Sequence, residues 1–206
     1  MRARSRHRGS VTISGGALKG RVLAYPVGRT TRPTSARTRI SLFDTLGAIV
    51  RDAVFADLYA GAGAVGIEAL SRGAGFVHFV ERDADAMAHL RRNLDATGVT
   101  PSRWRLHAGA VSTLAGGMAD ALADAEVVFA DPPYDTDAGE ELFERAGVQR
   151  LPHLEWLVIE HRTGAVPQPP SELVVRHMRR LGDTTLTYMV PAGSQSEVTR
   201  DEGTLS

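Results

Sequence analysis

From Ala53 onward the chain alternates short apolar runs with helical patterns, and that alternation is the signature of a parallel sheet covered by helices on both faces. Strands are expected at 53 to 58, 76 to 80, 103 to 107, 126 to 130 and 154 to 160. Between them the spacing predicts helices at 64 to 72, 83 to 96 (Met87, Leu90 and Leu94 in register), 111 to 123 and 137 to 147. The alternation breaks at the end, where Leu173 to Arg179 and Thr184 to Val190 read as strands separated only by Leu181, Gly182 and their neighbours. A parallel crossover needs about a dozen residues or more, so this last pair must be antiparallel. The expectation is an α/β, mostly parallel seven-stranded sheet ending in an antiparallel hairpin.

Ahead of this core, Val11-Thr12-Ile13-Ser14, Gly15-Gly16 and Arg21-Val22-Leu23 read as a short hairpin. After Arg32-Pro33-Thr34, Ile40, Phe43, Leu46 and Val50 recur at helical spacing, with Leu42 and Ile49 widening the stripe. On this helix Arg39 projects into the apolar stripe and Arg37 lies near its edge. The two either snorkel to water or stand at the mouth of a site. The expected organisation is a basic tail at 1–10, a hairpin and helix extension at 11–50, the main domain at 51–190 and an unstructured tail at 191–206.

A chain of 206 residues buries a real core but leaves no room for two independent enzyme domains. It has no cysteine, which excludes disulfide frameworks, thiolate metal sites and cysteine nucleophiles, including the cytosine-C5 class of methyl transfer. The seven histidines are scattered without metal-ligand spacing, so no metal is expected. The formal charge of zero hides an asymmetry. Residues 1 to 39 hold nine Arg and Lys19 with no acid, against 14 Arg and 24 acids in residues 40 to 206, or about +10 against −10. Segregated positive charge points to a polyanion, most simply nucleic acid. Such an Arg-rich start also fits an organelle transit peptide, but the hairpin pattern assigns residues from Val11 to the fold. With no apolar run of about 18 residues, the expectation is a soluble cytoplasmic protein with no membrane partner.

Two turns at strand ends carry the chemistry. Val127-Val128-Phe129-Ala130 closes on Asp131-Pro132-Pro133-Tyr134, which delivers a carboxylate, a rigid turn and an aromatic ring together. An amine conjugated to a purine is a poor nucleophile because its lone pair is delocalised. Asp131 can accept one of its N–H groups and the Pro132 carbonyl the other, which favours a pyramidal nitrogen. Tyr134 offers a stacking face worth about 1–3 kcal/mol. The second turn, Gly61-Ala62-Gly63-Ala64-Val65-Gly66, lets the backbone approach a ligand at a helix N-terminus. Alone it fits a nicotinamide dinucleotide, S-adenosylmethionine (SAM) or plain tight packing. Asp57, four residues before Gly61, suits the methionine ammonium of SAM and would repel a pyrophosphate. Glu81, 20 residues after Gly61, ends the next strand, where an acid accepts from both ribose hydroxyls. A third contact is expected from the loop Gly109-Ala110-Val111, whose backbone would meet adenine.

Around these turns the sequence resembles the bacterial RsmD family, SAM-dependent methyltransferases acting on the N2 amine of a guanine in 16S ribosomal RNA. The resemblance is carried by Ile13-Ser14-Gly15-Gly16 with Lys19-Gly20-Arg21, by Arg32-Pro33-Thr34, Arg37-x-Arg39 and Leu42-Phe43, and by Asp57-x-Tyr59-Ala60-Gly61-x-Gly63. Gly66-Ile67-Glu68-Ala69-Leu70-Ser71-Arg72-Gly73-Ala74 and Gly182-Asp183-Thr184 with Leu186 extend it over roughly residues 11 to 190. It implies a Rossmann-like class I SAM-dependent methyltransferase fold whose hairpin and helix extension helps bind RNA. It also implies an amine grip of Asp131, Pro132, Pro133 and Tyr134, and a SAM site of Asp57, Tyr59, Ala60, Gly61, Gly63, Glu81, Arg82, Ala110 and Asp131. RNA contacts are expected from Arg21, Arg32, Arg37 and Arg39, with 16S ribosomal RNA, within a small-subunit particle, as the partner. Gly109 departs from the polar residue often found there. The rival readings are an adenine-N6 DNA or protein glutamine methyltransferase, a nicotinamide dehydrogenase lacking a substrate domain, and a non-catalytic RNA-binding protein.

Overall fold

A computed structural model describes residues 9–25, 34–116, 118–133, 137–138 and 140–194. The expected tails, Arg32 and Tyr134 lie wholly or largely outside these residues. Two short strands, β1 (Ser10–Thr12) and β2 (Val22–Ala24), pair antiparallel as the N-terminal hairpin, and α1 (Ala36–Leu46) follows. Ser35 caps α1 by accepting from the Thr38 N–H at 3.0 Å. The main sheet contains β3 (Val54–Leu58), β4 (Phe76–Glu81), β5 (Trp104–Ala108), β6 (Val127–Ala130), β7 (Trp156–Arg162), β8 (Leu173–Leu181) and β9 (Thr184–Pro191). The larger crossover helices are α2 (Ala64–Ser71) and α3 (Ala84–Thr97). Asp83 caps α3 and left-handed Gly98 ends it.

The strand order is β5-β4-β3-β6-β7-β9-β8, with β3, β4, β5, β6 and β7 parallel and β9 antiparallel to both its neighbours. The seven-stranded sheet with a terminal hairpin is thus present. Gly182 and Asp183 form its two-residue turn, with Leu181 opposite Thr184. Chain order reverses between β3 and β6. In open parallel sheets such a switch point leaves a crevice beyond the strand ends.

Period-two alternation sends each strand's residues to opposite cores. Phe55, Phe129, Trp156 and Val158 join one cluster; Leu58, Val128, Leu157 and Ile159 join the other. Ile13, Leu23, Leu42, Phe43 and Leu46 of the hairpin and α1 lie in the first cluster. The segments expected as helices at 111 to 123 and 137 to 147 are less regular. The first holds a 3₁₀ turn (Val111–Gly116) that ends on a glycine, a residue of low helix propensity, and a four-residue α4 (Met118–Ala121). The second is a wide π-type turn (Glu140–Arg145) and a 3₁₀ turn (Val148–Arg150). Among the described residues no helix is long and apolar enough to cross a membrane.

Polar clamps fix the hairpin and α1 to the core. Glu68 of α2, 0 % exposed, accepts from Arg39 Nε at 3.1 Å, from Arg72 Nη2 at 3.0 Å and from the Ser14 hydroxyl. The Arg39 guanidinium also donates to the carbonyls of Thr34 (2.7 Å) and Thr12 (2.8 Å). Asn93 of α3 bonds both backbone groups of Ala24 and the carbonyl of Ala62. These contacts correct two expectations. Ile40, read as part of the buried stripe, is 43 % exposed, whereas Arg39 is 1 % exposed and its guanidinium neither snorkels nor is free for phosphate. Removing one member of such a buried pair strands the other charge, at a cost of about 3–5 kcal/mol. Glu68→Ala therefore lowers the unfolding free energy by about that amount in denaturant titration. A loss under about 1 kcal/mol, the size of an exposed pair, would contradict the clamp.

Candidate active site at the sheet switch point

The β3-to-α2 turn is built from backbone conformations that favour glycine. Gly61 (φ 55°) and Gly63 (φ 85°) are left-handed, and so is Tyr59 (φ 64°), a strain of roughly 1–2 kcal/mol for a residue with a Cβ. A Cβ on Gly63 would strike Leu90, and one on Gly66 would strike the Phe79 ring, so the third glycine lets α2 lie close on β4. The Tyr59 hydroxyl is buried without a partner.

Two strand-end acids brace this turn. Asp57 of β3 is buried and accepts from the Gly66 N–H at 2.8 Å, so one of its oxygens caps the loop. Burial pushes its carboxyl up to about 8; the Gly66 bond opposes this, and the charges of Asp131 and Glu81 add to it. Glu81 accepts from the Gly61 N–H at 2.7 Å through one oxygen and from the N–H groups of Arg82 and Asp83, both at 2.8 Å, through the other. The Arg82 side chain is exposed. The Gly109 N–H donates to the Glu81 carbonyl at 3.0 Å, which brings the Ala110 loop beside the same acid.

The other turn leaves the neighbouring strand. Asp131 follows β6 half-buried, and Thr34 Oγ donates to its Oδ2 at 3.1 Å. Burial holds this carboxyl well above the usual aspartate range, opposed by the Thr34 bond. Pro132 and Pro133 wall a cavity of about 600 Å³ together with Phe143, Glu160, Pro167 and Pro170. Asp57, Glu81 and Asp131 thus converge on the crevice between β3 and β6, close enough for the other two to bear on Asp57 electrostatically.

Three residues with a part here were not assigned from sequence. Thr34 lies in a quoted motif, but nothing in its neighbourhood says that its hydroxyl meets Asp131. Glu68 reads as an ordinary helix acid. Glu160 closes the apolar run Leu157-Val158-Ile159 as Asp131 closes its own, and that parallel was the available signal. Of the expected RNA contacts, Arg21 and Arg37 are exposed, and Arg39 is enclosed as described.

The profile of the family described as "Conserved hypothetical protein 95" matches residues 11–190. YlbH of Bacillus subtilis, provisionally named an rRNA methyltransferase, is 32 % identical over 178 residues, 84 % of this chain and 94 % of that one. Ribosomal RNA small subunit methyltransferase D of Escherichia coli K12 is 36 % identical over 133 residues, 65 % of each chain. Among solved structures, Escherichia coli YhhF, provisionally named a methyltransferase, superposes with a TM-score of 0.72 at 27 % identity, covering 89 % of this chain and 98 % of that one. The match over both turns, the N-terminal hairpin and the closing strands shows that the chain belongs to this family, the RsmD family its motifs resemble.

Proposed function

We propose that this protein transfers the methyl group of SAM to the exocyclic N2 amine of a guanine in 16S ribosomal RNA. The observation that carries the reading is the convergence of Asp57, Glu81 and Asp131 on the crevice next to the glycine turn. A dinucleotide would place its pyrophosphate there, against three acids; SAM brings an ammonium and a sulfonium instead. The names of the two relatives support ribosomal RNA as the acceptor.

Bound SAM supplies an electrophilic methyl group, and the chain's own residues do the rest. Tyr59, Ala60, Gly61 and Gly63 shape the cradle for the methionine end, Asp57 stiffens it, Glu81 takes the ribose hydroxyls, and Arg82 and the Ala110 backbone flank the base. Asp131 accepts one N–H of the acceptor amine and the Pro132 carbonyl the other, so the nitrogen lone pair faces the crevice. Pro133 stiffens the turn and Tyr134 stacks on the base. Asp131 then takes the proton that the methylated nitrogen sheds. Residues 11–50 form the RNA-binding extension, with Arg21, Arg32 and Arg37 on phosphates within a small-subunit particle and Arg39 holding the extension to the core.

Asp131→Ala retains SAM binding and loses methyl transfer by about 10²-fold or more, the size of one preorganised contact on a reacting group. Single-turnover assay beside calorimetric SAM titration checks this, and full activity would remove Asp131 from the grip. The rate also depends on pH. Asp131 can take the released proton only when ionised, and its carboxyl is raised, so activity is present above its pKa and is lost as the pH falls through it. Half-loss comes clearly above 3.8, the ordinary aspartate value; half-loss at or below 3.8 would contradict the burial argument. Arg37→Ala lowers RNA affinity and reduces the slope of log affinity against log salt by about 1, one phosphate contact. An unchanged slope returns Arg37 to a solvated surface.

A further inference from the structure

The amine grip leaves Glu160 unused, although it stands next to it. β7 runs beside β6 with Ile159 opposite Ala130, so Asp131 and Glu160 follow each other across adjacent strand ends. Glu160 is 4 % exposed, yet it lines the cavity walled by Pro132 and Pro133. Its Oε2 is buried without a hydrogen-bond partner. An orphaned acceptor beside a cavity is what a ligand donor would satisfy.

The protonation of the cluster follows from burial and geometry. Burial first, and then the Asp131 charge, pushes the Glu160 carboxyl far above the usual range, so it carries its proton near neutrality. The Thr34 hydroxyl donates to Asp131 Oδ2 and also bears on Glu160. Thr34 gives its proton to Asp131, and Glu160 Oε2 is left bare one strand away from that carboxyl.

We infer that the cavity beside Pro132 and Pro133 receives the target base, and that Glu160 accepts the ring N1–H of guanine while Asp131 holds the exocyclic amine. This inference rests on the guanine reading proposed above. Guanine presents N1–H and the N2 amine side by side on its Watson–Crick edge, the edge that enzymes read on a flipped base, and two neighbouring acceptors match it. A purine with a lone pair at N1 sets acceptor against acceptor. With such a base the bare Glu160 oxygen has no N–H to accept, and Asp131 alone holds the purine edge. Glu160 is therefore a specificity-determining residue, and the acceptor site has two carboxyl groups.

The test is a cycle that removes each partner in turn. The RNA carries guanine or 2-aminopurine at the methylated position; 2-aminopurine keeps the exocyclic amine but has a lone pair at N1. Single-turnover rates are measured for wild type, Glu160→Ala and Glu160→Gln, with SAM binding as the check on folding. The wild-type rate on guanine RNA reports the proposed function by itself, and the ratio between the two bases reports Glu160. The guanine-to-2-aminopurine ratio is expected to fall at least 10-fold in Glu160→Ala. It is expected to stay higher in Glu160→Gln than in Glu160→Ala, since the amide oxygen can accept the same N–H. Ratios within 2-fold of wild type in both variants, or no preference in wild type, would overturn the assignment.

Discussion

The buried carboxylate of Glu68 is the contact on which the rest of this structure leans. It draws Arg39 of α1, Arg72 of its own helix and Ser14 of the hairpin into one enclosed cluster. Arg39 passes the constraint on by holding the Thr34 carbonyl, and the Thr34 hydroxyl reaches Asp131. A path of four side chains thus runs from the helix that follows the glycine turn to the carboxylate of the other turn. The N-terminal extension thus reaches that turn through Thr34.

The site itself is an electrostatic opposition held by the fold. Parallel strands ending side by side place Asp57, Glu81 and Asp131 at one crevice, and burial keeps Asp57 and Asp131 reluctant to ionise, with the charges of Asp131 and Glu81 adding to it at Asp57. Hydrogen bonds from Gly66 and Thr34 offset part of that cost. A cationic ligand would offset more, because an opposite charge within a few ångströms favours the ionised carboxylate. The left-handed Tyr59 and the glycines around it belong to the same logic, since local strain is tolerated where the backbone must meet a ligand.

The sheet was legible in the sequence because its central strands are largely apolar runs and its edge strands alternate apolar with polar residues, and each was placed within about two residues of its observed ends. The closing hairpin followed from connection length alone. What periodicity could not show was the pairing of charges distant in sequence. A helical projection puts Arg39 among apolar residues and then assumes that it escapes to water; its partner lies 29 positions away on another helix. The same blindness placed Ile40 inside. Glu160 went unassigned because an acid in a central strand carries meaning only once β6 and β7 are known to be neighbours. The segment after β5 kept its place in the fold but not its regularity, with Gly116 ending its first turn.

The acceptor atom is the centre of this account, and nucleoside analysis tests it most directly. Wild-type protein with methyl-labelled SAM is given unmethylated small subunits, naked 16S RNA and duplex DNA, and the nucleic acid is digested to nucleosides. The account predicts label in N2-methylguanosine from ribosomal RNA. Label in methyladenine, in protein, or in none of the fractions would contradict it.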